Sequence, residues 1–177
     1  FQVFNVLFIV LFQNALLLLI ALPALVAYEN QATPIGPLDL ALAAVFLAFL
    51  VGEFVADQQQ WEFHRAKAAT IAAGGTPEQR FLTTGLWKYS RHPNFFFEQA
   101  QWWVLYAMGA AALGAALHWT IVGPVLLTAL FIGSTVFTES ITLSKYPEYA
   151  DYQRRTSMLF PWIPREPRAA AADAPAA

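Results

Sequence analysis

The chain has 177 residues, of which 58% are hydrophobic and 12% are charged, with a formal net charge of −2. Because globular domains usually carry about a quarter charged residues, this composition excludes an ordinary soluble domain. The chain contains no cysteine, which excludes disulfide bonds and thiolate metal ligands. It begins at Phe1, and we expect further residues upstream in the whole protein.

Four long segments collect most of the hydrophobic residues. They are residues 3–27, 40–56, 95–117 and 119–138. The second segment contains a single charge, Glu53, and the third a single charge, Glu98. A helix rises about 1.5 Å per residue, so about 20 residues cross a hydrocarbon core of about 30 Å. The sequence therefore predicts an all-α, polytopic integral membrane bundle with four transmembrane helices.

The distribution of basic residues predicts the orientation of these helices. All ten lysines and arginines lie in the loop 61–92 or in the C-terminal tail. The positive-inside rule therefore predicts that this loop and the tail are cytoplasmic. Four spans also place both ends of the chain on that one side, so the charge pattern and the predicted topology agree.

Prolines and glycines mark the predicted connections. Those at positions 34–37 predict a tight outer loop, with Asp39 as the N-cap of the second helix. No breaker precedes positions 74–77, so this helix is expected to continue beyond the membrane surface past His64. Pro93 suits the first turn of the third helix, where its missing N–H costs nothing.

The C-terminal part of the chain is predicted to leave the membrane. The fourth helix is expected to end near Glu139, and residues 146–155 predict a short amphipathic helix at the cytoplasmic interface. Residues 1–164 are then one membrane domain. The Ala/Pro-rich segment 165–177 is expected to be disordered.

Two polar stripes enter the predicted helices from the cytoplasmic side. One comprises Glu53, Asp57, Gln60 and His64, and the other comprises Asn94, Glu98 and Gln101. Spacings of three or four residues place the members of each stripe on one helix face. A charge inside a bilayer costs several kcal/mol unless it is paired or hydrated. The stripes therefore predict a hydrated pocket between the two helices.

A plainer interpretation is that these side chains only hold the helices together, and it fits an isolated amide such as Gln13 well. Three neighbouring carboxylates, however, repel one another unless basic groups or a ligand lie among them. Basic groups are available in Arg80, Lys88, Arg91 and His92. Because such groups bind phosphates, while carboxylates and amides bind hydroxyls or a carboxamide, the pattern favours a phosphorylated cofactor.

Aromatic residues gather on the same side of the predicted bundle. They are Trp87, Tyr89, Trp102, Trp103, Tyr146, Tyr149 and Tyr152. Belts of tryptophan and tyrosine are normal at membrane interfaces, so a belt is the alternative to a binding site. No nucleotide motif of soluble proteins is present, and the three histidines lack metal-ligand spacing. We expect neither a metal site nor a nucleic-acid partner.

One block resembles the signature of the membrane steroid 5-alpha-reductase superfamily, above all its bacterial, largely uncharacterised branch. It reads Gly85-Leu-Trp-Lys-Tyr-Ser-Arg-His-Pro-Asn94 and is followed by Glu98 and Trp102-Trp103. The likeness continues in Glu53-x-x-x-Asp57 and Tyr149-x-x-Tyr152, and it covers about residues 50 to 164.

This resemblance implies a membrane reductase of the bacterial inner membrane, with an NADPH pocket open to the cytosol. Its substrate would be a hydrophobic lipid, such as a sterol, steroid or polyprenoid, with an activated carbon–carbon double bond. By position, Glu53 and Asp57 match the polar pair on the cofactor helix, and Asn94 and Glu98 match the pair near the nicotinamide. The whole expected cofactor site is Glu53, Asp57, His64, Arg80, Lys88, Arg91, His92, Asn94, Glu98, Trp102, Tyr149 and Tyr152.

The resemblance also has gaps. Reduction by NADPH needs an acid that polarises or protonates the substrate, and in steroid reductases this acid lies upstream of the region covered here. The catalytic residue of this chain is therefore unassigned. Phe96-Phe97 stand where many relatives carry a glycine before the glutamate, so bulk is expected beside Glu98.

Two alternatives stay open. The isoprenylcysteine and phospholipid methyltransferases, which bind S-adenosylmethionine from the cytosolic side, share Arg-His-Pro and a pattern like Glu139…Tyr149-x-x-Tyr152. The asparagine after Pro93, the tryptophan pair and the carboxylate stripe favour the reductase. A membrane protein without enzymatic activity, for example a lipid-binding relative or a partner subunit, is the other alternative.

Overall fold

The computed structural model describes residues 2–166, and these form helices joined by loops. The helices are α1 (Gln2–Phe4), a π-helical segment (Asn5–Phe12), α2 (Gln13–Glu29), α3 (Pro37–Ala72), α4 (Pro93–Leu113), α5 (Val122–Lys145) and α6 (Tyr149–Arg155). Short 3₁₀ turns cover Gly85–Lys88 and Trp119–Ile121. The predicted all-α class is confirmed. Most of the tail predicted to be disordered, residues 167–177, lies outside the described residues.

Within residues 2–166, three helical stretches are long and apolar enough to cross a membrane. They are Val10–Glu29, Pro37–Ala72 and Trp119–Lys145. Each exposes large aliphatic side chains, for example Leu18, Leu47 and Val136, as expected of helices in contact with lipid. The protein is therefore membrane-associated. The remaining helix of the predicted four, α4, has 21 residues but is less apolar, because its first half carries a carboxylate and several amides.

The helices pack around α2 and α4. Helix α4 lies against both α2 and α3, and α2 also packs on α5. The buried centre of this packing consists of Leu16, Ile20 and Leu127, with Trp102, Leu130 and Phe131 around it. The core is small and sits between α2, α4 and α5, whereas much of α3 is open on the side away from α4.

Two glycines set the distance between these helices. A Cβ atom at Gly109 would lie 2.6 Å from the carbonyl oxygen of Pro23, and one at Gly123 would lie 2.4 Å from the carbonyl oxygen of Leu19. No side chain fits at either position without movement of the backbone. Contact through small residues is the usual way in which helices approach closely in membranes.

A third close approach explains the two adjacent phenylalanines of α4. The ring of Phe97 fills the space at Gly52 of α3, where a Cβ atom would lie 2.6 Å from the ring. The ring centroid of Phe96 lies 6.1 Å from that of Phe49 and 5.7 Å from that of Phe160. The bulk expected beside Glu98 is therefore directed against α3 and the tail.

Helix α3 runs unbroken over 36 residues, which confirms that the second predicted helix continues past His64. Its predicted N-cap was wrong by one turn. Gly36 is the N-cap, and the Asp39 carboxylate, at the third helical position, accepts a hydrogen bond of 2.8 Å from the Gly36 N–H. Asp39 thus completes the cap from inside the helix.

Helix α5 ends at Lys145, so the prediction that it ends near Glu139 was also wrong. The polar residues after Glu139 do not break the helix, because their hydroxyls bond back to it. Ser140 Oγ donates to the Phe137 carbonyl at 2.7 Å, and Thr142 Oγ1 donates to the Thr138 carbonyl at 3.0 Å. The extra turns carry Thr142 and Lys145 to the region described next. Helix α4 begins at Pro93, as predicted.

Candidate functional site

A pocket of about 320 Å³ opens at the end of the bundle where the loop 73–92 meets the tail 146–166. We call it the basic pocket. Helix α3, the loop, the last turns of α5 and the start of α6 all contribute to its wall. Its main polar and aromatic lining residues are Gln60, Phe63, His64, Lys67, Arg80, Phe81, Trp87, Arg91, His92, Lys145, Tyr146, Tyr149 and Tyr152.

The open rim of the basic pocket is cationic. Lys67 Nζ donates to the Arg80 carbonyl at 2.6 Å, which ties α3 to the loop. The Lys67 ammonium and the Arg80 guanidinium lie 5.4 and 5.6 Å from the ring centroid of Tyr146, within cation–π range. The Arg80 side chain is 57% exposed, and its ion pair with Glu148 is loose at 3.4 Å. Arg80 is therefore available to an anionic ligand.

The buried floor of the pocket is organised by Glu139. Its carboxylate accepts two hydrogen bonds from the Arg91 guanidinium, at 2.6 and 2.9 Å. It also contacts His92 Nε2 at 3.0 Å, the Tyr149 hydroxyl at 3.2 Å and the Gln153 amide at 2.9 Å. We call this arrangement the Glu139 hub. It joins α5, the loop and α6 through one side chain.

Arg91 completes the hub from the loop. Its remaining donors bind the carbonyls of Gln153, at 3.0 Å, and Thr156. The Arg91 side chain is 9% exposed, and the Glu139 carboxylate neutralises its charge within the protein. Arg91 was predicted to face cofactor phosphates. Arg91 does line the pocket, but its guanidinium is already paired with the Glu139 carboxylate.

An aromatic cluster forms one wall of the pocket. The Phe81 ring stacks on Tyr152 at 5.8 Å and meets the edge of Tyr149 at 5.0 Å. The Tyr152 hydroxyl donates to the Trp87 carbonyl. Burial raises the pKa of the Tyr149 hydroxyl, and the Glu139 charge raises it further. Burial likewise raises the pKa of Tyr152, so both hydroxyls stay neutral donors.

The Gly85-Leu-Trp segment docks on α3. The Leu86 N–H donates to Gln59 Oε1 at 2.9 Å, and the Trp87 indole N–H donates to the Ala56 carbonyl at 3.1 Å. Gly85 has φ +63°, and a Cβ atom there would lie 2.5 Å from Gln59 Oε1. The positive φ favours glycine at this position. The segment that carries the resemblance therefore fixes Trp87 against the helix that bears the acidic stripe.

The three carboxylates of the stripes lie together but do not line the basic pocket. Glu53 accepts a hydrogen bond from the Gln101 amide of α4, and Glu98 interacts electrostatically with both Glu53 and Asp57. They occupy the inner turns of α3 and α4, and Gln60 and His64 continue the α3 stripe outward into the pocket. Asn94 Oδ1 is buried and has no hydrogen-bond partner among the described residues.

Besides the three carboxylates and Asn94, two further predicted site residues lie outside the basic pocket. Trp102 packs against the core of α2 and α5 and does not line the basic pocket. Lys88 is exposed and lines a neighbouring cavity of about 330 Å³ with Glu148 and Arg155. His64, Arg80, Arg91, His92, Tyr149 and Tyr152, in contrast, are brought together in the basic pocket.

Several lining residues escaped the sequence analysis. Lys67 lies three residues after His64, so the helical spacing of the α3 stripe was the signal that identifies it. Lys145 was missed because α5 was predicted to end too early. Phe81 carried no signal, since its position against the two tail tyrosines depends on the tertiary fold.

The helical fold and the apolar spans of the described residues define a membrane-associated helical protein. Residues 2–156 match the family described as "Protein of unknown function (DUF1295)", and the chain belongs to that family. The match includes every residue that lines the basic pocket, the signature segment Gly85–Asn94 and the Glu139 hub.

An uncharacterised protein of the fission yeast Schizosaccharomyces pombe is a relative. It is 34% identical over an alignment of 172 positions, which covers 91% of this chain and 50% of the yeast protein. The chain thus spans about half the length of this curated relative. No solved structure matches the chain.

Proposed function

We propose that this protein is an NADPH-dependent membrane reductase of the steroid 5-alpha-reductase superfamily, acting on an activated carbon–carbon double bond of a lipid. The observation that carries the proposal is that a cationic pocket lies next to a group of carboxylates and amides on α3 and α4. A cationic pocket with aromatic walls lies at the outer end of the α3 stripe, and the carboxylates and amides lie one or two turns further in.

The residues fit the two ends of this cofactor. Lys67, Arg80 and His64 at the open rim would take its phosphates, since charge-assisted contacts to phosphate are strong. Asn94 Oδ1, a buried acceptor without a partner among the described residues, matches the N–H groups of a carboxamide. Bound NADPH would supply hydride. The protein would orient the cofactor and exclude water from it, through Trp87 and the aromatic cluster of Phe81, Tyr149 and Tyr152.

The electrostatics of the pocket favour NADPH over S-adenosylmethionine. Among the described residues no carboxylate lines the basic pocket, and its lining contains four lysines and arginines and two histidines. S-adenosylmethionine carries a positive sulfonium, which such a lining repels, whereas NADPH carries three phosphate groups. Of the residues shared with methyltransferases, Arg91, His92 and Tyr149 meet Glu139 in the Glu139 hub. There the Arg91 guanidinium and the Glu139 carboxylate neutralise each other's charge.

The proposal includes a fourth membrane crossing by α4, with the basic pocket on the cytoplasmic side. The Thr33 hydroxyl, in the loop between α2 and α3, donates to the Ala112 carbonyl near the end of α4 at 3.0 Å. The start of α4 lies beside the end of α5 instead, through His92 and Glu139. This geometry supports a helix that extends from one side of the membrane to the other.

The test is a cofactor titration on the complete, detergent-purified protein, with NADPH, NADH and S-adenosylmethionine followed by tryptophan fluorescence. We expect saturable binding of NADPH, tighter than binding of NADH. Arg80→Gln and Lys67→Gln should each weaken NADPH binding about tenfold to a hundredfold, because a hydrogen bond to a charged group contributes about 1.5–3 kcal/mol.

Arg65→Gln is the matched control. Arg65 lies on α3 close to Lys67 but faces Trp61, 4.6 Å away, and it does not line the pocket. Its substitution should leave the dissociation constant unchanged. Equal weakening by all three variants would contradict the proposal, as would tighter binding of S-adenosylmethionine than of NADPH.

A further inference from the structure

A second cavity lies on the flank of the bundle, between α3, α4, α5 and the tail. It has a volume of about 500 Å³, which falls within the range of about 300–1,000 Å³ found for small-molecule sites. We call it the flank groove. Its wall is mainly apolar and includes Phe49, Phe96, Trp103, Ala107, Ile132 and Phe160. Among the described residues, none lines both this groove and the basic pocket.

Two polar side chains also line the groove, and one of them is already satisfied. Thr128 Oγ1 accepts the indole N–H of Trp103 at 3.2 Å and donates to the Pro124 carbonyl at 2.8 Å. Gln99 differs. It is only 8% exposed, and its amide nitrogen is buried and donates to no other described atom.

An amide donor buried among apolar side chains is unfavourable unless it meets an acceptor, and hydrocarbon offers none. Leucine would fill the same position without that cost. The groove therefore has one specific chemical requirement, an oxygen acceptor beside Gln99. Its rim residues Trp103 and Ile132 are exposed on the apolar flank, so a molecule dissolved in the bilayer can reach it.

We propose that the flank groove binds the hydrocarbon chain of a lipid whose carbonyl, ester or hydroxyl oxygen accepts a hydrogen bond from Gln99 Nε2. The aromatic rings at its rim match a flexible or flat apolar ligand. This binding does not depend on the proposed reductase activity, since the groove and the basic pocket are lined by different residues.

The experiment uses the complete protein in vesicles of ether-linked phosphatidylcholine, which carries no ester carbonyl, and a photoreactive probe, the methyl ester of palmitic acid with a mid-chain diazirine. After irradiation, peptide mapping should place the label on α4 and α5 residues that line the groove. Unlabelled methyl palmitate should compete at least about tenfold better than hexadecane, because only the ester offers Gln99 an acceptor.

Two variants separate the parts of the proposal. Gln99→Leu should retain labelling but lose the preference for the ester, and it should not lower the thermal stability of the protein, since no internal hydrogen bond is removed. Ala107→Phe should fill the groove and abolish labelling there. Val136→Phe, on an exposed position of α5 outside the groove, is the control and should change neither result.

Three outcomes would overturn the inference. Uniform labelling of all lipid-facing helices would mean that the groove holds only bulk lipid. A clear loss of stability in Gln99→Leu, with ester preference intact, would assign the amide a structural role. A photocrosslinker placed at position 107 tests whether the groove is already occupied. If the groove is not labelled and this crosslinker joins to another segment of the complete protein, that segment fills the groove.

Discussion

Glu139 shows how a single buried charge can hold three parts of a chain together. Its side chain is 6% exposed, and its partners come from the loop 73–92 and from α6. A carboxylate buried to this extent is tolerated only with charge-assisted partners in good geometry. The Glu139 hub supplies them, so its contribution lies in fixing the floor of the basic pocket.

Glu139→Gln therefore should destabilise the protein. The amide keeps the size of the side chain but leaves the Arg91 guanidinium buried without a counter-charge, and breaking such a pair costs about 3–5 kcal/mol. The measurement is thermal unfolding of the detergent-purified protein. Asp151→Asn breaks an ion pair whose two side chains are 69% and 71% exposed, and it should cost less than about 1 kcal/mol. Similar losses for both variants would refute the hub.

The residue scale also shows what the sequence can and cannot reveal about the site. Helical spacing correctly placed Glu53 and Asp57 on one face of α3, the face toward Glu98, because a period of 3.6 is a local property. The pairing of Arg91 with Glu139 spans 48 positions and has no local signal. Arg91 was therefore predicted as a phosphate ligand, whereas the fold commits most of its donors internally.

At the scale of helices, the packing depends on places without a side chain. Gly109 and Gly123 let the backbones of α4 and α5 contact the backbone of α2. Hydrophobic segments and the start of α4 at Pro93 were predictable from composition and from proline. Which helices contact one another was not predictable from the sequence, because an apolar helix face in a membrane can meet either lipid or another helix.

Gly123→Ala is expected to destabilise the bundle, because the new methyl group would lie 2.4 Å from the Leu19 carbonyl oxygen. Overpacking of this kind costs about 1–3 kcal/mol. Gly133→Ala on the same helix has nothing within 4 Å, and it should be neutral or stabilising by up to about 1 kcal/mol. Thermal unfolding in one detergent compares the two, and changes of the same sign would contradict this packing.

At the scale of the whole molecule, the proposed fourth crossing decides the topology. The chain has no cysteine, so a single introduced cysteine is the one thiol of this chain, and its labelling shows which side of the membrane its position faces. If α4 crosses, Leu117→Cys, in the turn after α4, lies on the opposite side of the membrane from Gln79→Cys. If it does not cross, the two lie on the same side.

We expect a membrane-impermeant maleimide to label Gln79→Cys only in inside-out vesicles and Leu117→Cys only in intact cells. Position 117 suits the probe because Leu117 is 80% exposed. Gln31→Cys, in the loop before α3, is the internal control and should follow Leu117→Cys. Labelling of Leu117→Cys together with Gln79→Cys would remove the fourth span.

The Glu139 hub also has a consequence for the order in which the protein is made. Arg91 is synthesised 48 residues before Glu139 and 62 and 65 residues before its carbonyl partners in the tail. Translation adds about 5–20 residues per second. For several seconds after its synthesis, the Arg91 guanidinium therefore has none of these partners. A chain arrested before α6 would contain all three apolar spans and still lack a closed basic pocket. The candidate site is thus completed only after residues 149–156 have been synthesised, because they supply the last partners of Arg91 and Glu139.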